Sequence, residues 1–470
     1  MTPDEFRAHG HRLIDWIADY RQSLAARPVS TPTEPGRVAA ALPADPPAGP
    51  EPFAAVLADF ERVIVPGLTH WQHPRFFGYF PANAALPSVL GDLLGSGLGV
   101  LGLNWQASPA LTELEEVTCD WVRRMVGLSD AWAGVIQDTA STGSLVALVC
   151  ARERTTGFSL ARCGLQAEGR PLVVYVSAQS HSSVEKAALL AGFGRENVRT
   201  VAHDANYAMR ADALEDAVTA DLAAGRVPCA VVATVGTTAS TALDPVGELA
   251  AVAGRYGMWL HVDAALAGSA MILPECRWMW AGIEGADTVV LNPHKWLGTA
   301  FDYSLYYARD PDHLVRVMST SPSYLRTAAD GKARNYRDWG VALGRRFRAL
   351  KLWFLIRSEG VSGLQSRLRR DLANARWLAA EVSVTPDWRV VAPVPLQTVC
   401  VVHEPPGLAG DALDVHTRAW ADRVNRSGAA YLTPAVLGGR WVVRVSIGTE
   451  TTELADVAAT WAVMRRAAEG

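Results

Sequence analysis

The sequence predicts an α/β fold in which a mainly parallel sheet forms a large domain and a smaller α+β domain follows it. Between residues 85 and 310, short apolar segments rich in β-branched residues alternate with helical segments rich in Ala and Leu. The chain has 470 residues, which is too long for one simple core. We expect an N-terminal helical segment over residues 1–85, the large domain over 86–365 and the small domain over 366–470.

The N-terminal segment contains two helical stretches on either side of a proline-rich linker. Apolar side chains three and four residues apart, such as Leu13 and Ile17, predict an amphipathic helix over residues 4–24. Residues 27–53 hold eight of the 27 prolines, which favours an extended linker, and a helical pattern resumes at Phe53. Because this segment cannot bury a good core by itself, we expect it to pack on a partner subunit.

Five segments of the large domain are predicted as short buried strands, since each is apolar and rich in β-branched or aromatic residues. They are Leu172–Val176, Ala230–Val235, Trp259–Val262, Thr288–Leu291 and Leu305–Ala308. Helices are predicted between them, at Val184–Ala191 and Val246–Ala253. Ligands of such domains bind at the carboxyl ends of the strands, so the residues that follow each strand are the candidates for a site.

The remaining segments are less regular. Residues 86–105 are apolar but hold Asp92 and several glycines, which indicates a buried or interface helix and loop rather than a membrane span. Residues 319–338 are polar and predict a mobile loop, and Leu343–Ile356 is predicted as a strong helix. In the C-terminal region, Trp441–Ile447 is the clearest strand candidate.

The composition argues against several classes of function. A net charge of −4 predicts no large basic face and therefore no nucleic-acid partner. The six cysteines include no Cys-x-x-Cys pair, which argues against a disulfide framework or a zinc site. The N-terminus lacks a basic-then-apolar signal. From these observations together, we expect a cytoplasmic protein with no metal and no membrane partner.

One lysine is a candidate for chemistry. Only four of the 44 basic residues are lysines, and Lys295 lies just after the predicted strand Thr288–Leu291, inside Asn292–Trp296. A lysine in such a place is often only a solvated strand cap. A poorly solvated amine can instead lose its proton and condense with an aldehyde, and pyridoxal phosphate is the usual aldehyde in proteins.

Pyridoxal phosphate also needs a carboxylate for its pyridine nitrogen, a flat group for its ring and donors for its phosphate. Asp263 ends the third predicted strand and is the candidate for the nitrogen, although a helix N-cap is the competing interpretation. His181 follows the first predicted strand and is the candidate for the ring, although a lone histidine is more often structural. The hydroxyls and amides of Thr139–Ser144, before a helix predicted at Leu145–Arg152, suit an anion.

Together, these residues resemble the group II pyridoxal-phosphate-dependent decarboxylases, and within them the aromatic L-amino-acid decarboxylases, most of all the bacterial L-DOPA type. The likeness runs from Phe6 to about Ile447. The stretches that carry it are Glu34-Pro35-Gly36, His70-Trp71, Tyr79-Phe80-Pro81, Ser108-Pro109-Ala110, Thr112-Glu113-Leu114-Glu115, His181-Ser182-Ser183, His261-Val262-Asp263-Ala264-Ala265, Asn292-Pro293-His294-Lys295-Trp296 and Leu343-Gly344-Arg345-Arg346-Phe347.

The resemblance implies fold type I of the pyridoxal-phosphate enzymes, with a seven-stranded type of sheet, and a homodimer with its active sites at the subunit interface. It implies that Lys295 binds the cofactor aldehyde, that Asp263 pairs with the pyridine nitrogen and that His181 stacks on the ring. The phosphate is expected to be held by Ala140, Ser141 and Asn292, with Thr238, Ala265 and His294 close by.

The resemblance also implies a pocket for an aromatic substrate. The residues expected to line it are Trp71, Tyr79, Phe80, Pro81, Ala82, Phe301 and Gly344, joined by Leu101 and Leu103 of the other subunit. Ala82 stands where animal members carry a threonine near the catechol, Leu266 replaces a tyrosine of the animal enzymes and Leu103 a phenylalanine. Gly344 is the small option where plant phenol-selective members carry serine, so an indole is expected to fit as well.

The implied reaction is loss of CO₂ from an aromatic L-amino acid, of the L-DOPA, tyrosine, tryptophan and 5-hydroxytryptophan class, to give the arylethylamine. Tyr324 matches the tyrosine of the catalytic loop and is expected to protonate Cα. An aldehyde synthase of the same family, an aminotransferase of the same fold and a non-catalytic protein are the competing interpretations. The first requires a replaced loop tyrosine and the last a lost Lys295 or Asp263, and all three residues are present.

Overall fold

Seven strands form the central sheet of the larger of two compact units, which comprises Ala82–Leu372 and Ala392–Thr398. The structure is a computed structural model that describes residues 1–320 and 327–470. The sheet has the strand order β1-β7-β6-β5-β4-β2-β3. In chain order its strands are β1 (Ala133–Gln137), β2 (Leu172–Ser177), β3 (Val198–Val201), β4 (Val227–Thr234), β5 (Trp259–Asp263), β6 (Thr288–Leu291) and β7 (Ser304–Ala308).

Most neighbouring strands of this sheet are parallel. β2 is parallel to β3 and to β4, β4 is parallel to β5, and β5 is parallel to β6. β7 runs antiparallel to both β1 and β6. Apart from the edge strand β3, the strands are covered on both faces, as in β2, where all six residues are buried. This explains their nearly continuous apolar sequences. The predicted α/β fold with a mainly parallel, seven-stranded sheet is confirmed.

Helices connect and cover the strands. α6 packs against α8 and against the strands from β4 to β7. In chain order the α-helices are α1 (Pro3–Ser23), α2 (Arg37–Ala40), α3 (Phe53–Asp59), α4 (Leu86–Leu98), α5 (Pro109–Val126), α6 (Ala140–Thr155), α7 (Ser159–Cys163), α8 (Ser182–Leu190), α9 (Ala211–Ala223), α10 (Val246–Tyr256), α11 (Pro311–Met318), α12 (Ala349–Val384, with a non-helical residue at Gly360), α13 (Gly410–Ser427) and α14 (Leu454–Glu469).

The predicted helix Leu343–Ile356 is wrong at its start, since α12 begins at Ala349. The carbonyl oxygen of Arg345 accepts the amide of Gly102 at 2.9 Å, and the two residues form an isolated antiparallel bridge. This pairing places Arg345 in a β-bridge, outside a helix. The helix signal there comes from local sequence alone, and a contact with a distant residue overrides it.

Two strands of the central sheet are not predicted from the sequence. β1 begins with Ala133 and Gly134, which lack the β-branched side chains typical of strands. β3 is a four-residue strand at the edge of the sheet and is only partly buried. The helix predicted at Leu145 also begins earlier than expected, because α6 starts at Ala140.

The smaller unit comprises Met1–Pro81, Ala373–Val391 and Val399–Gly470. A four-stranded sheet has the order β10-β11-β9-β8, with strands β8 (Trp388–Val390), β9 (Thr398–His403), β10 (Thr433–Leu437) and β11 (Arg440–Ser446). Trp388 lies at the centre of its core, with ring centroids 5.3 Å from Trp420 and 4.8 Å from Trp461. The predicted division at residues 85 and 365 stays a prediction.

Among residues 1–320 and 327–470, no helix is both long enough and apolar enough to span a bilayer. Within the same residues, no three or more His, Cys, Asp or Glu side chains come together in a group that could hold a metal ion.

Candidate active site

The candidate site lies where several parallel strands end. Asp263 is the last residue of β5 and pairs in register with Thr234, the last residue of β4. Asn292 follows β6 directly, and His181 lies four residues beyond the end of β2. Because the carboxyl ends of parallel strands meet at one edge of a sheet, the fold brings these predicted residues to the same edge.

Asp263 is a buried carboxylate at the end of its strand, with 4% of its surface exposed. Its Oδ1 atom accepts the amide of Ala265 at 3.0 Å. The next regular element is a 3₁₀ turn at Ala267–Ile272, so no α-helix begins at Asp263. The competing interpretation of an α-helix N-cap is therefore wrong, and Asp263 is a buried acid held in a turn.

Lys295 lies in a single π-helical turn, Pro293–Leu297, between β6 and β7. Its amide donates to the carbonyl of Asn292 at 2.9 Å, and its own carbonyl accepts from Nδ2 of Asn83 at 3.0 Å. The residue is half-buried. The turn therefore anchors the backbone of Lys295, which differs from a lysine that merely caps a strand in solvent.

His181 is the N-cap of α8, which gives its ring a fixed orientation. Its Nδ1 atom accepts the amide of Ser183 at 3.1 Å and lies 2.7 Å from Oγ of the same residue. Since Nδ1 accepts from a backbone amide, the proton of the neutral ring is assigned to Nε2. His181 thus has the structural role of a helix cap. The cap uses Nδ1, so Nε2 can serve a second role.

Electrostatics couple His181 to the two other central residues. Desolvation by the surrounding protein lowers the pKa of His181, the Asp263 carboxylate opposes this shift, and the Lys295 ammonium adds to it. Such coupling requires the three groups to be near one another. The lowered pKa keeps the His181 imidazole neutral at pH 7, which suits a ring that stacks on another ring.

His294 and Asn292 are buried beside Lys295. His294 Nδ1 accepts the amide of Tyr303 at 3.0 Å, and its ring meets Phe301 edge-on with centroids 4.8 Å apart. Burial, with a further contribution from Lys295, lowers the pKa of His294 to about 4. The Oδ1 atom of Asn292 is buried and has no hydrogen-bond partner among the described residues. A buried amide end of this kind is suited to a bound ligand.

The predicted phosphate site lies at the start of α6. Thr139 is the N-cap and Ala140 and Ser141 are the first two helical residues, so their amides have no acceptor within the helix. The amides and the positive end of the helix dipole favour an anion there. Thr238 is half-buried in the loop after β4, and Ala265 is buried next to Asp263.

These residues fit pyridoxal phosphate. Lys295 offers an amine, Asp263 a buried carboxylate and His181 a neutral imidazole of fixed orientation. The free amides at the start of α6, from Ala140 onward, offer donors for a phosphate. Oδ1 of Asn292 adds a buried, unpartnered acceptor. These residues therefore provide the kinds of group that the cofactor requires.

Four predicted pocket residues belong to the smaller unit and form an aromatic surface there. The rings of Trp71 and Tyr79 stack with centroids 5.4 Å apart. The amide of Tyr79 donates to Oγ1 of Thr433 at 2.7 Å, which fixes this residue in its left-handed conformation at φ 52°. The guanidinium of Arg444 lies 4.9 Å from the ring centre of Phe80, and Pro81 is buried.

The other predicted pocket residues belong to the larger unit. Phe301 is 62% exposed and Leu101 is 51% exposed, while Ala82 and Leu103 are half-buried. A Cβ atom added to Gly344 would lie 3.3 Å from Cδ1 of Leu101. Gly344 and Leu101 of one chain are therefore neighbours. The role of Leu101 and Leu103 in a partner's pocket stays a prediction, and Tyr324 lies outside the described residues.

Sequence reasoning missed the residues that support this site. They include Asn83, which binds the Lys295 carbonyl, and the buried pair Glu115 and Arg345, whose nitrogen and oxygen atoms approach to 2.6 Å. Lys351 is predicted only as part of the helix Leu343–Ile356. In the structure it is 1% exposed, and its Nζ atom lies 3.3 Å from Oδ1 of Asp92. The rarity of lysine in this chain is the signal that could have singled out Lys351.

Comparison with known proteins gives an independent result. Residues 35–403 match the model of the pyridoxal-dependent decarboxylase conserved domain. Tyrosine decarboxylase 4 of Petroselinum crispum is 40% identical over 479 residues, which cover 99% of this chain and 93% of that protein. Phenylacetaldehyde synthase of Arabidopsis thaliana is 39% identical over 478 residues, which cover 100% of this chain and 96% of that protein.

A solved structure agrees with this result. The crystal structure of Oryza sativa TDC with PLP and tryptamine superposes with a TM-score of 0.96 at 37% identity. The superposition covers 100% of this chain and 98% of that one. The likeness therefore extends over both compact units.

Proposed function

Because the chain belongs to the pyridoxal-dependent decarboxylases, we propose that it removes CO₂ from an aromatic L-amino acid and releases the arylethylamine. The observation that carries this proposal is that His181, Asp263 and Lys295 lie at the strand ends, where the charges of Asp263 and Lys295 act on the pKa of His181. The names of the relatives support the aromatic substrate, since they include a tyrosine decarboxylase and a TDC that binds tryptamine.

Bound pyridoxal phosphate supplies an electron sink for the electron pair that the departing carboxylate leaves on the substrate. Lys295 would hold the cofactor aldehyde through its amine. Asp263 would keep a proton on the pyridine nitrogen, because its buried carboxylate favours a cationic partner. His181 would contact the ring as a neutral imidazole, with its Nε2–H directed by the Ser183 cap.

The phosphate would be held at the start of α6 by the amides of Ala140 and Ser141, with the side-chain N–H₂ group of Asn292 as a further donor. Thr238, Ala265 and His294 would lie close to these phosphate-binding residues. The low pKa of His294, about 4, keeps its ring uncharged at neutral pH, so it adds no second cation beside Lys295. Tyr324 is assigned the delivery of a proton to the substrate Cα, which completes amine release.

The aromatic end of the substrate is assigned to two groups of side chains. One is the aromatic surface of Trp71, Tyr79, Phe80 and Pro81, and the other is formed by Ala82, Leu101, Leu103, Phe301 and Gly344. Both groups are apolar and leave rings or leucine side chains exposed, which favours a flat apolar substrate. Ala82 offers no hydroxyl to a catechol, so phenols and indoles are also accepted.

We further propose that the enzyme works as a homodimer in the cytoplasm. Five leucines of α4 are 45–58% exposed and recur at helical spacing, so they form one apolar stripe: Leu86, Leu90, Leu93, Leu94 and Leu98. A soluble monomer rarely leaves such a stripe in water. A second copy of the chain covers this face, and sedimentation equilibrium of the purified protein tests the dimer directly.

The proposed activity is tested with purified protein and L-DOPA, tyrosine, tryptophan and 5-hydroxytryptophan as separate substrates. Amine, CO₂, aldehyde and oxygen uptake are measured for each. We expect equal amounts of amine and CO₂ with at least one substrate, and no such products from Lys295→Ala. Lys332→Ala, which changes an exposed lysine, serves as the matched control and is expected to keep full activity. Failure of all four substrates would refute the proposal.

A second candidate function is an aldehyde synthase. The observation in its favour is the Arabidopsis thaliana phenylacetaldehyde synthase, which is 39% identical over the whole chain. Tyr324 argues against it, because a phenol at Cα favours protonation and amine release over reaction with oxygen. The same assay separates the two candidates, since an aldehyde synthase consumes oxygen and releases aldehyde, ammonia and peroxide.

A further inference from the structure

The turn that carries Lys295 is too short to fix its own position. It consists of five residues, Pro293–Leu297, and ends at Gly298, where φ is +109°. Inside it, the amide of Gly298 donates to the carbonyl of Pro293 at 3.0 Å. A single helical turn is marginally stable by itself, so its geometry depends on surrounding groups. The position of the Lys295 amine therefore depends on whatever holds this turn.

Two residues of α12 hold the part of the chain that follows Lys295. The guanidinium of Arg367 donates from Nη1 to the carbonyl of Trp296 at 3.0 Å and from Nη2 to the carbonyl of Leu297 at 2.5 Å. Oδ2 of Asp371 accepts the indole N–H of Trp296 at 2.8 Å. Arg367 and Asp371 are one helical turn apart and share a face, so they hold the backbone and the side chain of the same residue.

These contacts are buried, so their loss is costly in free energy. Trp296 and Asp371 have no exposed surface, and Arg367 is 8% exposed. A buried indole N–H or carbonyl that loses its partner costs more free energy than one that can turn to water. The contacts between α12 and the turn are therefore not readily exchanged for water.

Gly298 is adapted to the same contact. A Cβ atom at this position would lie 2.8 Å from Nη2 of Arg367, and the φ of +109° is one that other residues rarely adopt. The glycine thus allows both the end of the turn and the close approach of the guanidinium.

The segment before α4 supports the turn as well. Nδ2 of Asn83 donates to the Lys295 carbonyl at 3.0 Å, and the amide of Ala85 donates to the Gly298 carbonyl at 2.9 Å. Every carbonyl from Lys295 to Gly298 thus accepts a hydrogen bond from outside the turn. Arg367 is the residue that binds two of these four carbonyls.

We propose that Arg367 and Asp371 are positioning residues for Lys295, and that they act through the backbone and the indole of Trp296. This inference rests on the proposed role of Lys295 as the lysine that binds the cofactor. If the turn shifts, the amine is misplaced relative to the cofactor aldehyde, whereas the aromatic pocket of the substrate is unchanged. The loss is therefore expected in kcat and in cofactor retention more than in KM.

The test uses holoenzyme and variants of α12. Asp371→Leu removes the acceptor for the Trp296 indole, Asp371→Asn keeps an acceptor of the same size, and Arg367→Lys keeps the charge but loses the two-pronged donor. Arg369→Gln is the matched control on the same helix, because Arg369 is exposed and pairs with Glu275. Each protein is measured for kcat, KM, melting temperature and the visible absorption of lysine-bound pyridoxal phosphate after gel filtration.

We expect Asp371→Leu and Arg367→Lys to lower kcat by roughly 10- to 100-fold, as displaced reacting groups do, with a smaller change in KM and less retained cofactor absorption. Asp371→Asn should restore most of both properties. A melting temperature lowered without any change in kcat or absorption well below that temperature would assign the two residues a merely structural role and overturn the inference. Equal damage by Asp371→Asn and Asp371→Leu would overturn the hydrogen-bond argument.

Lys295→Ala separates this inference from the proposed function. Loss of the visible absorption in Lys295→Ala, together with control-like behaviour of the α12 variants, would refute the positioning role alone. Absorption that survives in Lys295→Ala would refute the role of Lys295 itself.

Discussion

The side chains of Glu115 and Arg345 form a buried ion pair with two hydrogen bonds, at 2.9 and 2.6 Å. The pair also holds both backbone polar groups of one residue of the central sheet, because Glu115 accepts the amide of Ile136 and Arg345 donates to the carbonyl of the same residue. It thereby joins α5, β1 and the segment that carries Gly344. The segment at the predicted substrate pocket is thus fixed through Arg345 by a carboxylate 230 residues away in sequence.

Removing one partner of this pair should strongly destabilise the protein. Arg345→Met leaves the Glu115 carboxylate buried without its cation, which typically costs about 3–5 kcal/mol. Arg346→Met is the matched control, because Arg346 is exposed and its bond to Asp92 should contribute only about 0–1 kcal/mol. Urea unfolding measures the free energy of unfolding of both variants. Equal midpoints for the two variants would contradict the prediction.

The stability of the protein should fall in acid, partly through His261. Its ring is fully buried between Thr288 and Ser144, and burial lowers its pKa to about 4 despite the nearby Asp263. Below the ordinary pKa of about 6.5, the unfolded chain binds a proton that the folded protein does not. This one group therefore reduces the free energy of unfolding by about 1.4 kcal/mol for each pH unit between about 6.5 and 4.

His261→Gln should reduce this dependence on pH. Unfolding by urea at pH 7, 6, 5 and 4 measures the slope of the unfolding free energy for wild type and variant. His11→Gln, which changes an exposed histidine, is the control and should leave the slope as in wild type. The same slope in His261→Gln and wild type would show that the buried ring does not resist protonation.

Gly344→Ser should shift the preference away from indoles. Gly344 is predicted to line the substrate pocket, so an added side chain is expected to narrow it. Within the same chain, a Cβ atom at residue 344 would also approach Cδ1 of Leu101 to 3.3 Å. A steric loss of this kind lowers the kcat/KM for tryptophan relative to tyrosine by roughly tenfold or more. Ala342→Ser, at an exposed position two residues away, is the control. An unchanged ratio of the two kcat/KM values would place residue 344 outside the pocket.

Tyr324→Phe should change the product rather than stop the reaction. The substitution removes the proposed acid for Cα and keeps the aromatic ring, so CO₂ is still lost while oxygen competes with protonation. We expect less arylethylamine and more aldehyde, ammonia and peroxide, with measurable oxygen uptake. Amine formed at the wild-type rate without oxygen uptake would assign the proton to another group.

The central strands were predictable because their signal is local. β4, β5 and β6 are buried on both faces, so nearly every position must be apolar, and this pattern is visible in the sequence. The same argument located Asp263 and Lys295, because polar residues just beyond buried strands stand out. β3 was missed because an edge strand is only partly buried and shows no such run.

The supporting contacts could not be predicted, since they join residues that are distant in sequence. Trp296 meets Arg367 and Asp371 at separations of 71 and 75 residues, and Arg345 meets Glu115 at a separation of 230 residues. Helix periodicity places Arg367 on α12 but does not say which turn it contacts. The same limitation produced the wrong helix start before Ala349, where a distant pairing overrides the local preference.

The most direct test of the account is to locate the lysine that carries the cofactor. Holoenzyme is reduced with borohydride, which makes the bond between pyridoxal phosphate and its lysine permanent, and is then digested and mapped by mass spectrometry. Only three other lysines are present: Lys186 in α8, exposed Lys332 and buried Lys351. The account predicts the label on Lys295 alone. A label on any of the other three lysines, or no label in a protein that retains its cofactor, would contradict it.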